Sequence, residues 1–289
     1  MKIGPFELDE PIPDMERPHA VVVLRPWIDV GNVGTLALSR IERYFKSEEI
    51  GRLAEPGMFY DFTRYRPRSF FNEGRREVNI PNTTIRCSRL ERGPTFLTIH
   101  VLEPHLYGED FTDGMIELLK FLNVERYCLI GGMYDMVPHT RPLLVSGLGT
   151  GGTVSEEQLR VGVRPSDYEG PTTITYLVAQ EAAKLGIETR TFVTHLPQYL
   201  ELEDDFAGTA RLTEILCTLY ELPEHLIDKQ KGLDQYNKLQ DMVSSTEGMA
   251  SLLEKLEERY DSDLKDDSYE PLFLSDDIED FLKDVGDTL

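Results

Sequence analysis

Residues 19–34, HAVVVLRPWIDVGNVG, decide the class of fold. Their first part, 20–24, is a continuous run of aliphatic and mostly β-branched side chains, which is typical of a strand buried on both faces of a parallel sheet. Arg25-Pro26 ends the run, and from Val33 to Lys46 apolar residues recur at helical spacing. A strand, a loop and a helix therefore follow one another, which is the repeating unit of an α/β domain.

The same order of elements returns further along the chain. Predicted strands at 96–101 and 127–130 enclose a predicted helix at 112–122, and a helix that begins at Gly170-Pro171 precedes a strand at 187–193. Strands that alternate with helices predict a parallel-rich sheet with helices on both faces. Three shorter β-like segments make the predicted sheet mixed: 50–53, 77–80 and 83–90.

The chain changes character beyond residue 200. Apolar residues at helical spacing predict two amphipathic helices, at 212–219 and 249–260, and a third short helix that begins at Ser275. Residues 261–270 are polar and acidic, which predicts a flexible linker between the last two helices. The apolar face of each helix must pack on the body or on a partner.

Charge divides the chain into the same two parts. The formal net charge is −22, from 52 acidic and 30 basic residues, and residues 201–289 alone hold 25 acidic and 8 basic groups. We therefore predict an α/β domain at 1–200 and an acidic helical extension at 201–289. The negative charge repels phosphate groups, so neither nucleic acid nor an anionic membrane surface is an expected partner.

The chain shows no pattern for export. Its longest apolar runs are too short to span a bilayer, and the first residues lack the basic-then-apolar order of a signal peptide. The cysteines, Cys87, Cys128 and Cys217, are odd in number and widely spaced, which matches neither a disulfide framework nor a zinc site. We therefore expect a cytoplasmic protein.

The densest group of chemically active side chains follows the predicted strand at 127–130. It begins with Gly131-Gly132 and continues to Asp135, His139 and Arg141. In one interpretation the glycines let backbone amides approach an anion beyond the strand, and the three side chains supply acid, base and anion-binding groups. In the other, the glycines form a tight turn and the polar side chains brace it.

Three further polar residues follow other predicted strands. Asp29 and Asn32 come after the first strand, and Glu103 comes after the strand at 96–101. Because the carboxyl ends of parallel strands meet at one edge of a sheet, we expect these residues to line one cleft with Asp135, His139 and Arg141.

Complete catalytic motifs are missing from the sequence. The glycines at 31–34 do not complete a dinucleotide fingerprint, no phosphate-binding Gly-Lys-Ser/Thr loop occurs, and no serine or cysteine stands in a nucleophile elbow. The six histidines show no paired ligand spacing. We therefore predict no cofactor and no metal, and we assign no catalytic residue.

The order of several short motifs resembles the proteasome assembly chaperone 2-like (PAC2-like) family over roughly residues 18–200. The motifs that carry the resemblance are Arg25-Pro26, Asp29-Val30-Gly31-Asn32, Phe59-Tyr60-Asp61, Arg66-Pro67, Glu103-Pro104, Pro138-His139-Thr140-Arg141-Pro142, Tyr168-Glu169-Gly170-Pro171 and Leu196-Pro197-Gln198-Tyr199.

This resemblance implies a three-layer α/β/α domain similar to nucleoside phosphorylase and hydrolase folds, and a family with members that assist assembly of the proteasome α ring. It implies no established catalysis. Prokaryotic relatives carry a helical extension and form homo-oligomers, among which we favour a trimer.

The chain departs from the family at two places. It ends in Gly286-Asp287-Thr288-Leu289, whereas archaeal members end in a hydrophobic-tyrosine-any tail. It also has Pro197-Gln198-Tyr199 where the family commonly has Pro-His-Tyr, so no role of that histidine transfers to this chain.

Two hypotheses of function follow, beside the simpler alternative that the acidic extension only covers the body and keeps the oligomer soluble. The first is a non-catalytic, homo-oligomeric scaffold or assembly chaperone-like protein whose acidic helices meet a protein partner with a basic face. The second is an enzyme or sensor for a nucleoside-like or carboxylate small molecule, which binds in the cleft at the carboxyl ends of the strands.

Overall fold

A computed structural model describes residues 1–90, 93–246 and 248–266 of the chain. The strands are β1 (Lys2–Ile3), β2 (Phe6–Leu8), β3 (His19–Arg25), β4 (Glu48–Leu53), β5 (Arg68–Asn72), β6 (Arg75–Asn79), β7 (Thr84–Ser88), β8 (Phe96–Leu102), β9 (Arg126–Asp135), β10 (Val145–Gly147), β11 (Val163–Pro165) and β12 (Glu188–Pro197). The α-helices are α1 (Val33–Phe45), α2 (Gly108–Phe121), α3 (Glu156–Arg160), α4 (Ile174–Lys184), α5 (Phe206–Tyr220), α6 (Lys229–Ser245) and α7 (Met249–Asp266).

Ten of the strands form one mixed sheet in the order β1-β2-β4-β7-β8-β3-β9-β12-β10-β11. Its centre, β8-β3-β9-β12, is parallel, and β7 and β10 add to its two sides in antiparallel orientation. The two remaining strands, β5 and β6, pair only with each other as a separate hairpin. The sequence prediction of a mixed, parallel-rich sheet is confirmed.

Helices cover both faces of the sheet, and each face has its own core. On one face α2 and α4 bury residues such as Phe111, Leu118 and Val178. On the other face α1 and α5 bury residues such as Ile41 and Leu216. The predicted three-layer α/β/α arrangement is therefore correct.

The helices beyond residue 200 are continuous with this body. Leu212, Ile215 and Leu216 of α5 are fully buried against the sheet and α1, so the second core does not end at Leu200. Next, α6 packs on α5, and α7 packs on α6 through a smaller cluster that includes Val243, Leu253 and Leu256. No helix among the described residues is both long enough and apolar enough to cross a bilayer.

Three boundaries differ from the sequence predictions. Gly131 and Gly132 are not in a turn, because β9 continues through them to Asp135. The fourth α-helix begins at Ile174 and not at Gly170-Pro171, since Thr173 is still extended. The segment predicted as a linker near 261–270 is helical as far as Asp266, and the predicted helix from Ser275 lies outside the described residues.

The glycine pair in β9 is required by a close crossing of two backbones. A Cβ atom on Gly131 would lie 1.8 Å from the carbonyl oxygen of Ile28, and one on Gly132 would lie 2.6 Å from a methyl group of Val33. The amide of Gly132 also donates to that Ile28 carbonyl, at 3.2 Å. The loop that follows β3 therefore lies directly on β9.

We expect Gly131→Ala to lower the free energy of unfolding by about 3 kcal/mol or more, the upper end of overpacking costs. The added methyl carbon would clash with the Ile28 carbonyl, which is backbone and cannot rotate away as a side chain can. Gly108→Ala is the matched control, since its Cβ would meet only Ile174 at an ordinary 3.7 Å. Urea unfolding measures both variants. Equal unfolding free energies of the two variants would contradict the close contact between Gly131 and the Ile28 backbone.

A second prediction concerns His19, which begins β3 and whose Nδ1 lies 3.3 Å from the Tyr220 hydroxyl of α5. Burial, followed by the nearby Arg126 charge, lowers the pKa of His19 to about 4. Because the unfolded chain takes up this proton near the ordinary value of about 6.5, this contribution to stability is lost as the pH falls from about 6.5 towards 4.

His19→Asn should flatten the fall in unfolding free energy between about pH 6.5 and about pH 4.5 by up to about 1.4 kcal/mol per pH unit. The exposed His225, changed to Asn, is the control for a histidine outside the core. Urea unfolding across this range measures the slopes. An unchanged slope in His19→Asn would show that the histidine is not desolvated by α5.

Candidate functional site

Asp29 and Asn32 bind the chain's own backbone. One carboxylate oxygen of Asp29 accepts hydrogen bonds from the amides of Gly34 (2.7 Å) and Thr35 (3.1 Å), which are unsatisfied donors of the first turn of α1. Asn32 donates through Nδ2 to the carbonyl of Glu203, at 2.9 Å. Burial raises the pKa of Asp29 although these hydrogen bonds act to lower it.

Glu103 has a comparable structural contact. Its Oε1 accepts a hydrogen bond of 3.0 Å from the amide of Ile174, the first residue of α4. Burial raises the pKa of this carboxyl group as well. Asp29 and Glu103 thus stabilise the starts of two helices that lie on opposite faces of the sheet.

Asp135 belongs to a chain of three polar side chains. Its Oδ2 lies 2.6 Å from Nδ1 of His195, and Nε2 of the same ring lies 2.7 Å from Oγ of Ser146. The order carboxylate, imidazole, hydroxyl is that of serine hydrolases. In those enzymes the serine stands on a sharp turn, whereas Ser146 lies within the extended strand β10. The three residues come from β9, β12 and β10, so their hydrogen bonds connect the antiparallel strand β10 to the parallel centre of the sheet.

His139 and Arg141 lie in a different environment, at the contact between the body and α7. The His139 amide and Nδ1 both lie within hydrogen-bonding distance of the Tyr199 hydroxyl, at 2.9 and 2.6 Å. Arg141 donates through Nε and Nη2 to both carboxylate oxygens of Asp261, at 2.9 and 2.8 Å, and its Nη1 lies 3.3 Å from Glu257. Burial lowers the pKa of His139.

The side-chain contacts of the six predicted residues lead to different parts of the chain. Asp29 and Asn32 hold α1 and the segment before α5, Glu103 holds α4, and Asp135 joins three strands. Arg141 holds α7, whereas His139 contacts Tyr199 and the ring of Tyr236 on α6. Their roles in helix capping and docking depend on partners distant in sequence, which is why strand-end placement alone did not reveal them.

The surface that sequence reasoning missed is the hairpin β5–β6. All ten of its strand residues are exposed, and Phe71, at 72% exposure, is the most exposed large apolar side chain among the described residues. Val78 is 58% exposed and Phe70 is 45% exposed. The hairpin signal in the sequence is Glu73-Gly74, whose positive φ angles of 47° and 79° form a tight two-residue turn between the strands.

These features define a class of protein: a three-layer α/β/α domain with an exposed apolar hairpin, β5–β6, and with helices α5 to α7 packed on the body. We call this hairpin the arm. The polar residues at the strand ends of the domain serve mainly in helix capping and docking. The PAC2 family model matches residues 23–231, so the chain belongs to the PAC2 family. The match extends through α5, which agrees with the place of that helix in the core.

Solved structures share this fold. A PAC2 family protein from Streptomyces avermitilis has a TM-score of 0.71 at 22% identity, over 82% of this chain and 99% of that chain. Rv2714, a Mycobacterium tuberculosis protein of unknown function, has a TM-score of 0.76 at 24% identity, over 92% and 91%. Rv2125, the proteasome-assembly chaperone homologue of the same organism, has a TM-score of 0.70 at 21% identity, over 81% and 99%. A search of curated proteins finds no match.

Arg141→Ala should loosen α7 from the body, because the substitution removes both hydrogen bonds to Asp261 and the neighbouring charge contact to Glu257. We expect faster hydrogen–deuterium exchange at the amides of 249–266 and unchanged exchange in the central strands. Arg160→Ala, which removes an exposed pair with Glu156 on α3, is the control. Unchanged exchange in α7 would show that Arg141 is not needed and that the apolar contacts, with the hydrogen bond from Tyr260 to Pro142, hold this helix.

Proposed function

We propose that this protein is a non-catalytic, homo-oligomeric scaffold of the assembly-chaperone type, which acts by binding other protein chains. The exposed hairpin β5–β6 carries the proposal. A two-stranded hairpin is marginally stable alone in water, and large apolar side chains gain free energy when a partner surface covers them. An arm that keeps both phenylalanines and Val78 exposed is therefore suited to an interface.

We assign the arm to a second copy of this chain on grounds of charge. Residues 64–76 hold five arginines and one acidic residue, whereas the whole chain carries −22. A basic arm on an acidic molecule is attracted to the acidic surface of its own copies, and such complementarity favours encounter and register. An arm that contacts a different patch on the neighbouring copy forms a head-to-tail interface, and repetition of that interface around a rotation axis gives a ring. We therefore propose a closed ring of copies, and we favour a trimer.

The assembly role has support from the family and from a structural relative. The chain belongs to the PAC2 family, and the Mycobacterium tuberculosis protein Rv2125 of the same fold is described as a proteasome-assembly chaperone homologue. We propose that this chain likewise binds a protein partner, through its acidic helical extension, and that the partner presents a basic face. The contacts of the six predicted site residues with the chain's own backbone and helices favour this role over catalysis at that cleft.

Replacing Phe71 and Val78 together by Ser should reduce the oligomer to monomers, because it removes the apolar contacts of the arm without touching the core. Light scattering coupled to size exclusion measures the mass, which we expect near three times the 33.1 kDa of one chain for the native protein. Leu159→Ser, at a 54% exposed leucine on α3 outside the acidic extension, is the matched control and should keep the native mass.

A monomeric native protein, or a double variant that keeps the native mass, would contradict the role of the arm. Affinity purification of the full chain from its own cells tests the partner separately. We expect a stoichiometric basic protein, and its absence would contradict the assembly role while leaving the oligomer intact.

A further inference from the structure

A cavity of about 770 Å³ opens at the carboxyl ends of β3 and β8, on the face of the sheet that α1 covers. It lies between that helix, the outer strand β7 and the base of the hairpin. None of the six residues that the sequence predicted for a cleft lines it. Its charged and most polar lining residues are Arg25, Ser39, Glu42, Arg64, Tyr65, Arg66, Arg68, Asn79, Asn82, Arg86 and His100.

The cavity follows from the alternation of side chains along the outer strands. In β7, Ile85 points into the core beneath α2 while Thr84 and Arg86 point to the opposite face. In β8, Ile99 and His100 alternate in the same way. On that opposite face α1 and α5 cover only the central strands, so the polar side chains of β7 and β8 border an open space.

Positive charge converges on this space. Five arginines line it, and among the described residues only Arg86 of the five has an acidic group within ion-pair distance, Glu49 at 3.7 Å. Arg25 also has its Nε buried without a hydrogen-bond partner in the described part of the chain. A buried donor without a partner is costly, and arginines gathered in one place repel each other.

The one carboxylate in the cavity wall is already engaged. Glu42 accepts hydrogen bonds from Thr98 and contacts His100, both through Oε1, at 2.5 and 2.7 Å. Burial acts to raise the pKa of Glu42, but these two contacts hold it below the ordinary value. Its charge is therefore engaged mainly by β8 and also attracts Arg86, and among the described residues it forms no ion pair with Arg25, Arg64, Arg66 or Arg68.

We propose that this cavity binds a phosphate-bearing small molecule of about nucleotide size. The planar guanidinium group of arginine matches the oxygens of phosphate in paired hydrogen bonds, and several arginines suit a ligand with more than one anionic group. A volume of 770 Å³ falls in the range of small-molecule sites. Tyr65 and Asn79 also line the cavity and offer an aromatic ring and an amide group to the uncharged part of the ligand.

The site is separate from the protein-binding role and does not depend on it. It does touch the arm, because Arg68 and Asn79 are the first and last residues of the hairpin strands. A ligand held by these residues would fix the hairpin relative to the body.

The test uses the full-length protein with inorganic pyrophosphate and with ADP, in calorimetric titrations at constant ionic strength. We expect saturable binding at one site per chain. Arg66→Gln and Arg68→Gln, whose side chains are exposed, should each weaken binding about tenfold or more, the scale of one charge-assisted hydrogen bond. Arg75→Gln removes the same charge from the same hairpin outside the cavity and should leave the affinity within about twofold.

Three results would overturn the proposal: no saturable binding of either probe, equal weakening by Arg75→Gln, or affinity that the two cavity variants leave unchanged. A glutamate-rich peptide is titrated in parallel. Tighter binding of the peptide than of either phosphate compound would assign the cavity to an acidic protein segment instead.

Discussion

The rest of the structure depends on the close crossing of residues 28–34 over the glycine pair of β9. With no side chain at Gly131 and Gly132, the loop after β3 lies against the middle of the sheet, and the Ile28 carbonyl reaches the Gly132 amide. This contact sets where α1 begins. Asp29, held at the crossing, then satisfies the first amides of that helix.

The same loop positions the helical extension. The carbonyl of Gly31 accepts from the amide of Asp205, and a Cβ on Gly31 would lie 2.7 Å from the Cβ of Asp205. Asp205 caps α5 through the Gly208 amide and accepts a hydrogen bond of 2.7 Å from Tyr236 of α6. Contacts therefore run without interruption from the centre of the sheet to α6, and Arg141 adds a second attachment at α7. Helices α5, α6 and α7 therefore belong to the same body as the sheet.

The distribution of charge separates two kinds of surface. Residues 201–289 hold −17 of the net charge of −22, and some of their carboxylates pair with Arg141 of the body. Seven arginines lie around the hairpin and the cavity beneath it: Arg25, Arg64, Arg66, Arg68, Arg75, Arg76 and Arg86. A molecule with these two surfaces attracts its own copies and small anions, while its overall charge repels nucleic acids.

Local patterns in the sequence determined the class of fold, because a buried strand and an amphipathic helix each leave a periodic trace. The run at 20–24 and the helical spacing after Val33 are legible without any tertiary contact. The family resemblance was also recognisable from the sequence, since it rests on the order of short motifs along the chain.

Only the tertiary structure decided what the polar residues do. The sequence left Gly131-Gly132 open to interpretation as a turn or as an anion-binding loop, whereas the structure shows that Ile28 lies on the pair. The partner of Arg141, Asp261, is 120 positions away in the sequence. The arginines of residues 64–68 converge with Arg25 and Arg86 only because β7 folds beside β8. Such a site depends on short distances between side chains that are remote in the sequence. The periodicity of the sequence carries no information about those distances.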